Sequence, residues 1–287
     1  MLRKCFDRFF RDSSWTYPLR MLRSMWLLAH RKNDILALLD QQSFPFVFVT
    51  PCPPYLERAK KRLSSKQGIT SLERKKQFYA HFSEGFCGEN HEASIQLQYE
   101  SYLPWIPKNM PDPFLDIGCG GGEFLSFLKK NHILAQGVEI DQGEVQQALS
   151  CGLDVQWVDA YEFLISTNKK FSGISLFEVI EHIPFEKAQP LLEAAISRLA
   201  ENGILLVETI NLRHPAAFNF FYIDPTHVRP IPDDYLGFLF QWLGLSDVQF
   251  IYTGPNREVG DLHNEKKRIY SCFAVYGRKM SLRISGN

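Results

Sequence analysis

Residues 114–123, Phe-Leu-Asp-Ile-Gly-Cys-Gly-Gly-Gly-Glu, constrain the fold of this chain more than any other stretch. A short apolar run ends in a carboxylate and passes at once into four glycines within five positions. Glycine has no Cβ, so the backbone can turn with positive φ and a ligand can approach it closely. The helix-like run Glu123-Phe-Leu-Ser-Phe-Leu-Lys-Lys130 follows directly. Strand, glycine loop and helix in that order make the first βα turn of a nucleotide-binding α/β sheet, with the ligand just above Asp116 and Gly118.

The loop also narrows the ligand. A dinucleotide fingerprint needs glycine at the sixth position counted from Gly118, where Glu123 stands, and no Lys-Ser/Thr pair follows as it would in a P-loop. Asp116 and Glu123 would repel a pyrophosphate and suit a ligand carrying an ammonium and a sulfonium. The pattern Asp116-x-Gly-x-Gly-x-Gly122 resembles motif I of the class I S-adenosylmethionine-dependent methyltransferases. Ala135-Gln-Gly-Val-Glu-Ile140 reads as a second buried strand, and its Glu139 lies where such folds hold a ribose diol. Asp141 competes for that role; the resemblance favours Glu139 and leaves Asp141 as N-cap of a helix over 142–150. Residues 153–161 read as the third strand, with Asp159 where the family's acid receives the adenine amino group and Trp157 or Tyr161 beside the ring. The resemblance implies S-adenosylmethionine as cofactor, gripped by Asp116, Glu139 and Asp159 and touched by Gly118, Cys119, Gly120, Gly122, Ile140, Ala160 and Phe177.

Further along, 171–177 reads as a fourth buried strand, 204–209 as a fifth, 233–243 as a helix, and 248–252 and 269–275 as two last strands. Pro184 suits the first turn of a helix that continues to about Leu199. The expected fold is α/β: a Rossmann-like, seven-stranded, mostly parallel sheet with helices on both faces, its last strand antiparallel. The zero net charge of the 287 residues conceals a division. Residues 1–76 hold 16 Lys and Arg against 6 Asp and Glu, leaving 16 against 26 for 77–287. We therefore read a basic, aromatic-rich helical extension over 1–76 and a methyltransferase domain over 77–287. Within the extension, Trp15, Tyr17, Trp26 and several Phe interleave with eight basic residues in 1–32. That mixture fits a helix lying on an anionic membrane surface, or one packed on its own domain or on a second copy of the chain.

No apolar run approaches the roughly 18 residues of a membrane span, and the arginines at 20, 23 and 31 break any signal-peptide pattern. Six cysteines without a CxxC pair point to a reducing compartment, hence a cytoplasmic location; the membrane reading of the basic extension would add peripheral contact at the inner membrane. No nucleic-acid partner is expected, because the basic residues sit outside the catalytic body and no recognition motif accompanies them. The oligomeric state is not legible in the sequence.

The acceptor side is carried by Glu181-His182-Ile-Pro184, by Glu208-Thr-Ile-Asn211, and by Phe220-Phe-Tyr222-Ile-Asp224-Pro-Thr-His227-Val-Arg229-Pro-Ile-Pro232. Over about 78–252 these segments resemble the methyltransferase domain of bacterial O-antigen chain-terminating and related surface-polysaccharide methyltransferases. Cys87 and Gly121 stand where that family often has Arg, and Ile210 where it often has Pro. The resemblance implies a glycan acceptor, methylated at a sugar hydroxyl or a terminal phosphate, with a small molecule as the alternative. A hydroxyl needs a base and a phosphate oxygen does not. His182 and His227 are the candidate bases, Asp224 is placed to orient His227, and Tyr222 and Arg229 are placed to bind acceptor. Glu178, Glu181, His182 and His227 also resemble the divalent-metal ligands of small-RNA 3′-terminal and some quinone O-methyltransferases. A metal on that set is the alternative and not the expectation; the bland alternative to an enzyme is a non-catalytic cofactor-binding scaffold.

Overall fold

The computed structural model describes residues 91–108, 110–255 and 270–280. The basic extension, the 76/77 boundary and Cys87 lie outside them. Among the described residues no helix is long and apolar enough to cross a membrane. In chain order the elements are α1 (His91–Tyr102), β1 (Phe114–Ile117), α2 (Glu123–Lys130), β2 (Ala135–Glu139), α3 (Gln142–Ser150), β3 (Val155–Trp157), α4 (Ala160–Ser166), β4 (Phe171–Phe177), α5 (Phe185–Arg198), β5 (Leu199–Ile210), α6 (Ala217–Ile223), α7 (Asp233–Trp242), β6 (Leu245–Pro255) and β7 (Tyr270–Lys279).

The strands form one seven-stranded sheet in the order β3-β2-β1-β4-β5-β7-β6. β7 runs antiparallel to both neighbours, and the pairs among β1 to β5 are parallel. The expected sheet is therefore observed. Strands flanked by helices on both faces are buried on both: all four residues of β1 are buried, Asp116 among them, as are the first six of β4, including Ser172 and Ser175. One core cluster packs Leu115, Ile174, Leu192, Leu205 and Phe240, and a second packs Tyr102, Phe114, Phe124, Leu206 and Tyr276. Burying each such side chain contributes about 1.5–3 kcal/mol.

Strand order reverses between β1 and β4. Ligands in open α/β sheets bind beyond the carboxyl ends of the strands at such a switch point, so the topology puts the site above Ile117 and Phe177.

Several boundaries differ from the sequence reading, each for a local reason. β3 spans three residues because Asp159 leaves the strand to cap α4, its Oδ1 accepting from the Glu162 amide at 3.0 Å. β5 starts at Leu199, ahead of the expected 204, through an irregularity in its pairing with β4 around Phe171 and Gly173. Asn202 there takes φ +61, a left-handed turn that hydrophobic periodicity does not reveal. Helix α6 had no counterpart in the reading, since its aromatic sequence Ala-Phe-Asn-Phe-Phe-Tyr-Ile carries weak helix propensity.

Candidate active site

On the β1–β3 side the backbone builds the site. Gly118, Gly120 and Gly122 adopt φ +66, +52 and +89. A Cβ on Gly118 would stand 2.5 Å from Val179 Cγ2, so that position requires glycine on both conformational and steric grounds. Glu139 at the end of β2 secures the loop: Oε2 accepts from the Gly120 amide at 3.0 Å, and Oε1 accepts from Ile140 and Asp141 at 2.7 and 2.8 Å. Asp141 caps α3 through Gly143 and Glu144, as expected.

A cavity of about 710 Å³ opens over these strand ends, within the range of small-molecule sites. Gly118, Glu139, Ile140, Asp159, Ala160 and Tyr161 line one side; Val179, His182 and Pro184 line the other. The expected ribose and adenine acids are thus brought to one rim. Trp157 is not on that wall; its indole N–H donates to the Ile140 carbonyl at 3.0 Å.

Asp116 is placed differently. Its side chain lies in the sheet beneath the loop, 3% exposed, where Oδ1 accepts from the Ser175 hydroxyl at 2.6 Å. Burial pushes its carboxyl up to about 7 against the pull of that hydrogen bond. Cys119 does not line the cavity either; it is buried in a cluster with Leu125, Val145 and Leu153, its thiol pushed up by burial, and Phe177 packs between Tyr99, Tyr102 and Phe124 rather than on the cavity wall. Gly120 and Gly122 shape the loop without lining the cavity.

Side chains that meet across the fold build the other half. After β4 the chain turns through Glu178, at φ +52, into a short 3-10 turn over Ile180–His182. The Glu181 carbonyl accepts from the amides of Val228 and Arg229 at 2.8 and 3.2 Å, which seats the Asp224–Arg229 segment on that turn. His182 and His227 come together with ring centroids 4.5 Å apart. The His227 Nδ1 donates to the Phe221 carbonyl at 2.6 Å, leaving the lone pair on Nε2.

Asp224 serves His182 and not His227, contrary to the sequence reading. Its Oδ1 accepts from the Thr226 hydroxyl at 2.6 Å, and the same hydroxyl oxygen lies 2.8 Å from His182 Nδ1. A hydroxyl has one proton to donate, so Nδ1–H of His182 must donate to Thr226, and the His182 lone pair is also on Nε2. Burial first, then the neighbouring His227, lower the His182 pKa. Both effects favour the neutral ring.

Thr226 was missed in the sequence because it sits in a proline-bounded turn where Ser and Thr ordinarily bond the backbone. Glu208 was also missed as a buried partner: it accepts from Tyr102 of α1 and from Thr253 of β6, and burial pushes it up to about 7. Tyr222 is exposed on α6, and the Arg229 guanidinium lies over the Phe185 ring. Neither lines the cavity.

Glu181, His182 and His227 present ligand atoms within 4.8 Å of one another. Glu181 is fully buried, and burial with Glu178 beside it holds its carboxyl well above the usual carboxylate range. Glu178 is raised likewise, chiefly by burial. A cation would relieve both, and Nδ1-anchored imidazoles are the usual form of histidine ligands. This set of three fits a divalent metal; Glu178, the fourth residue of the sequence pattern, is not among the converging ligand atoms and hydrogen-bonds Glu181 instead.

A family model for methyltransferase domains matches residues 87–249. The chain belongs to that family. The methyltransferase is 26% identical to a crystallised SAM-dependent methyltransferase of Archaeoglobus fulgidus, with a TM-score of 0.62 over 70% of this chain and all of that one. It is 27% identical over 121 residues to a ubiquinone biosynthesis O-methyltransferase of Saccharophagus degradans, covering 40% of this chain and half of that protein. With the Coxiella burnetii protein of the same name it shares 26% over 182 residues, 55% of this chain and 75% of that one. S-Adenosylmethionine is the cofactor of this methyltransferase domain, and the glycine loop, the cavity volume and the Glu139–Asp159 rim fit it.

Proposed function

We propose that the domain methylates a sugar hydroxyl of a bacterial surface glycan, at the inner face of the membrane. One observation carries the choice of a hydroxyl over a phosphate oxygen: His182 lines the cofactor cavity, packs against His227, and has its lone pair on Nε2. A phosphate acceptor would need no such base. The glycan assignment is supported by the resemblance of the Tyr222–Pro232 segment to surface-polysaccharide methyltransferases.

S-Adenosylmethionine supplies a methyl group on a sulfonium, open to in-line displacement by an oxygen. Glu139 would hold its ribose and Asp159 its adenine edge. His182 takes the acceptor hydroxyl's proton on Nε2, while Thr226 and Asp224 support the charge through Nδ1. Val179, Ile183 and Pro184 exclude water from the meeting point.

A second reading has the Glu181, His182 and His227 cluster hold Mg²⁺ or Mn²⁺ for a small phenolic or quinone-type acceptor. The buried, raised Glu181 and the names of the Saccharophagus and Coxiella relatives favour it. A bound divalent ion would lower the acceptor hydroxyl's pKa directly.

Labelled cofactor offered with nucleotide sugars, lipopolysaccharide termini and catechols, with and without chelator, separates the readings. The glycan reading expects label on a sugar in chelator; label confined to a catechol, and only with metal, overturns it. For the location, deleting residues 1–40 is expected to release the protein from anionic vesicles. Unchanged co-sedimentation would end that part of the proposal.

A further inference from the structure

Arg229 is the cation nearest in sequence to the histidine pair, and it has no carboxylate partner among the described residues. The acids that follow it, Asp233 and Asp234, are taken by Arg213: its Nε and Nη2 meet Asp233 at 2.7 and 3.0 Å, and Nη2 meets Asp234 at 2.9 Å. The Tyr252 hydroxyl completes the Asp233 shell at 2.6 Å. Two aromatic rings hold the Arg229 guanidinium instead, 4.2 Å from the Phe185 centroid and 5.5 Å from that of Tyr235.

A guanidinium over a ring face keeps its N–H edges available for a planar anion while its orientation is fixed. Its place is also determined. The Arg229 amide donates to the Glu181 carbonyl at 3.2 Å, one residue from His182, and Phe185 is the chain neighbour of Pro184 and Glu186, which line the cavity. Lys187 of α5 lines the cavity itself, together with Glu186.

We infer that Arg229, held on Phe185 and Tyr235, is a subsite for an anionic group, carboxylate or phosphate, on the acceptor that presents its hydroxyl to His182. This deepens the proposed transfer to a hydroxyl and rests on it. It makes the acceptor an acidic sugar or a phosphorylated one rather than a neutral glycan, even though Gly121 has replaced one arginine of the loop.

The test has a binding arm that needs no turnover. Inorganic phosphate and, separately, glucuronate are titrated by calorimetry into the full chain saturated with S-adenosylhomocysteine, for the native protein and for Arg229→Gln and Arg229→Lys. The inference expects binding of at least one anion, weakened about ten- to hundredfold in Arg229→Gln and less in Arg229→Lys; which anion binds tells carboxylate from phosphate. Equal binding to native and Arg229→Gln, or no binding to either, overturns it. In the transfer arm, the kcat/KM ratio for an acidic over a neutral sugar acceptor should fall by the same factor. A purely structural role for Arg229 would lower both acceptors together and leave the ratio unchanged. If the native protein methylates no sugar, the function reading fails while the anion titration still decides the subsite.

Discussion

The two ends of the switch point are built by different means. On the β1–β3 side, glycine dihedrals, strand ends and helix caps position Glu139 and Asp159 within a few residues of the elements that carry them. On the β4–β5 side, His182 meets Thr226 across 44 residues of chain, and Glu181 holds Arg229 through its carbonyl. The first half rests on local backbone rules; the second depends on one particular loop resting on one particular turn. If the second half receives the acceptor, as proposed, specificity would reside where the contacts are long-range.

If the halves are separable, damage to one should spare the other. The double variant His182→Ala/His227→Ala is expected to lose about 10²- to 10⁴-fold in kcat, the usual worth of a positioned acid–base group, while S-adenosylhomocysteine binds as before by calorimetry. Glu139→Ala is the opposite lesion. Losing hydrogen bonds to a charged acceptor costs about 1.5–3 kcal/mol, so calorimetry should show cofactor affinity falling roughly ten- to hundredfold. The thermal stability of the β4–β5 side should survive.

Gly118→Ala strikes the seam, because its Cβ would enter Val179 of the opposite half. Left-handed strain alone costs about 1–2 kcal/mol, read as a melting temperature lower by roughly 2–8 °C, with loss of cofactor binding beyond what stability explains. A smaller effect concerns pH. Asp116 and Glu208 are both raised to about 7 by burial, so the folded state holds protons that the unfolded state has released. The stability they contribute is complete below the ordinary carboxylate range and is lost as pH rises through about 7. Cofactor-free protein should therefore melt at a lower temperature at pH 8 than at pH 5, and Asp116→Asn should flatten that slope.

The same contrast explains what the sequence could reveal. The sheet, the glycine loop, the Asp141 cap and the Glu139–Asp159 rim follow from apolar runs, turn chemistry and spacing, all of which act over short stretches. Asp116 shows where that logic stops. Its position at the strand end was clear, but only the pairing of β1 with β4 places Ser175 under it and turns the carboxyl away from the cavity. The histidine pair could be named from its motifs, yet its wiring could not. The sequence pairs Asp224 with His227, whereas its carboxylate connects to His182 through Thr226, a residue with no signal of its own in a proline-bounded turn. Helix α6 has a short-range signal too weak to stand out: only Ala217 and Phe221 of its seven residues are buried, and they pack on Ile210 at the end of β5.

A crystal structure of the full chain with S-adenosylmethionine would test the division of labour without requiring the acceptor. The account predicts the ribose on Glu139, the adenine edge at Asp159, and the sulfonium methyl turned toward the imidazoles of His182 and His227. A methyl group directed away from that pair, or a donor bound with its ribose off Glu139, would contradict it.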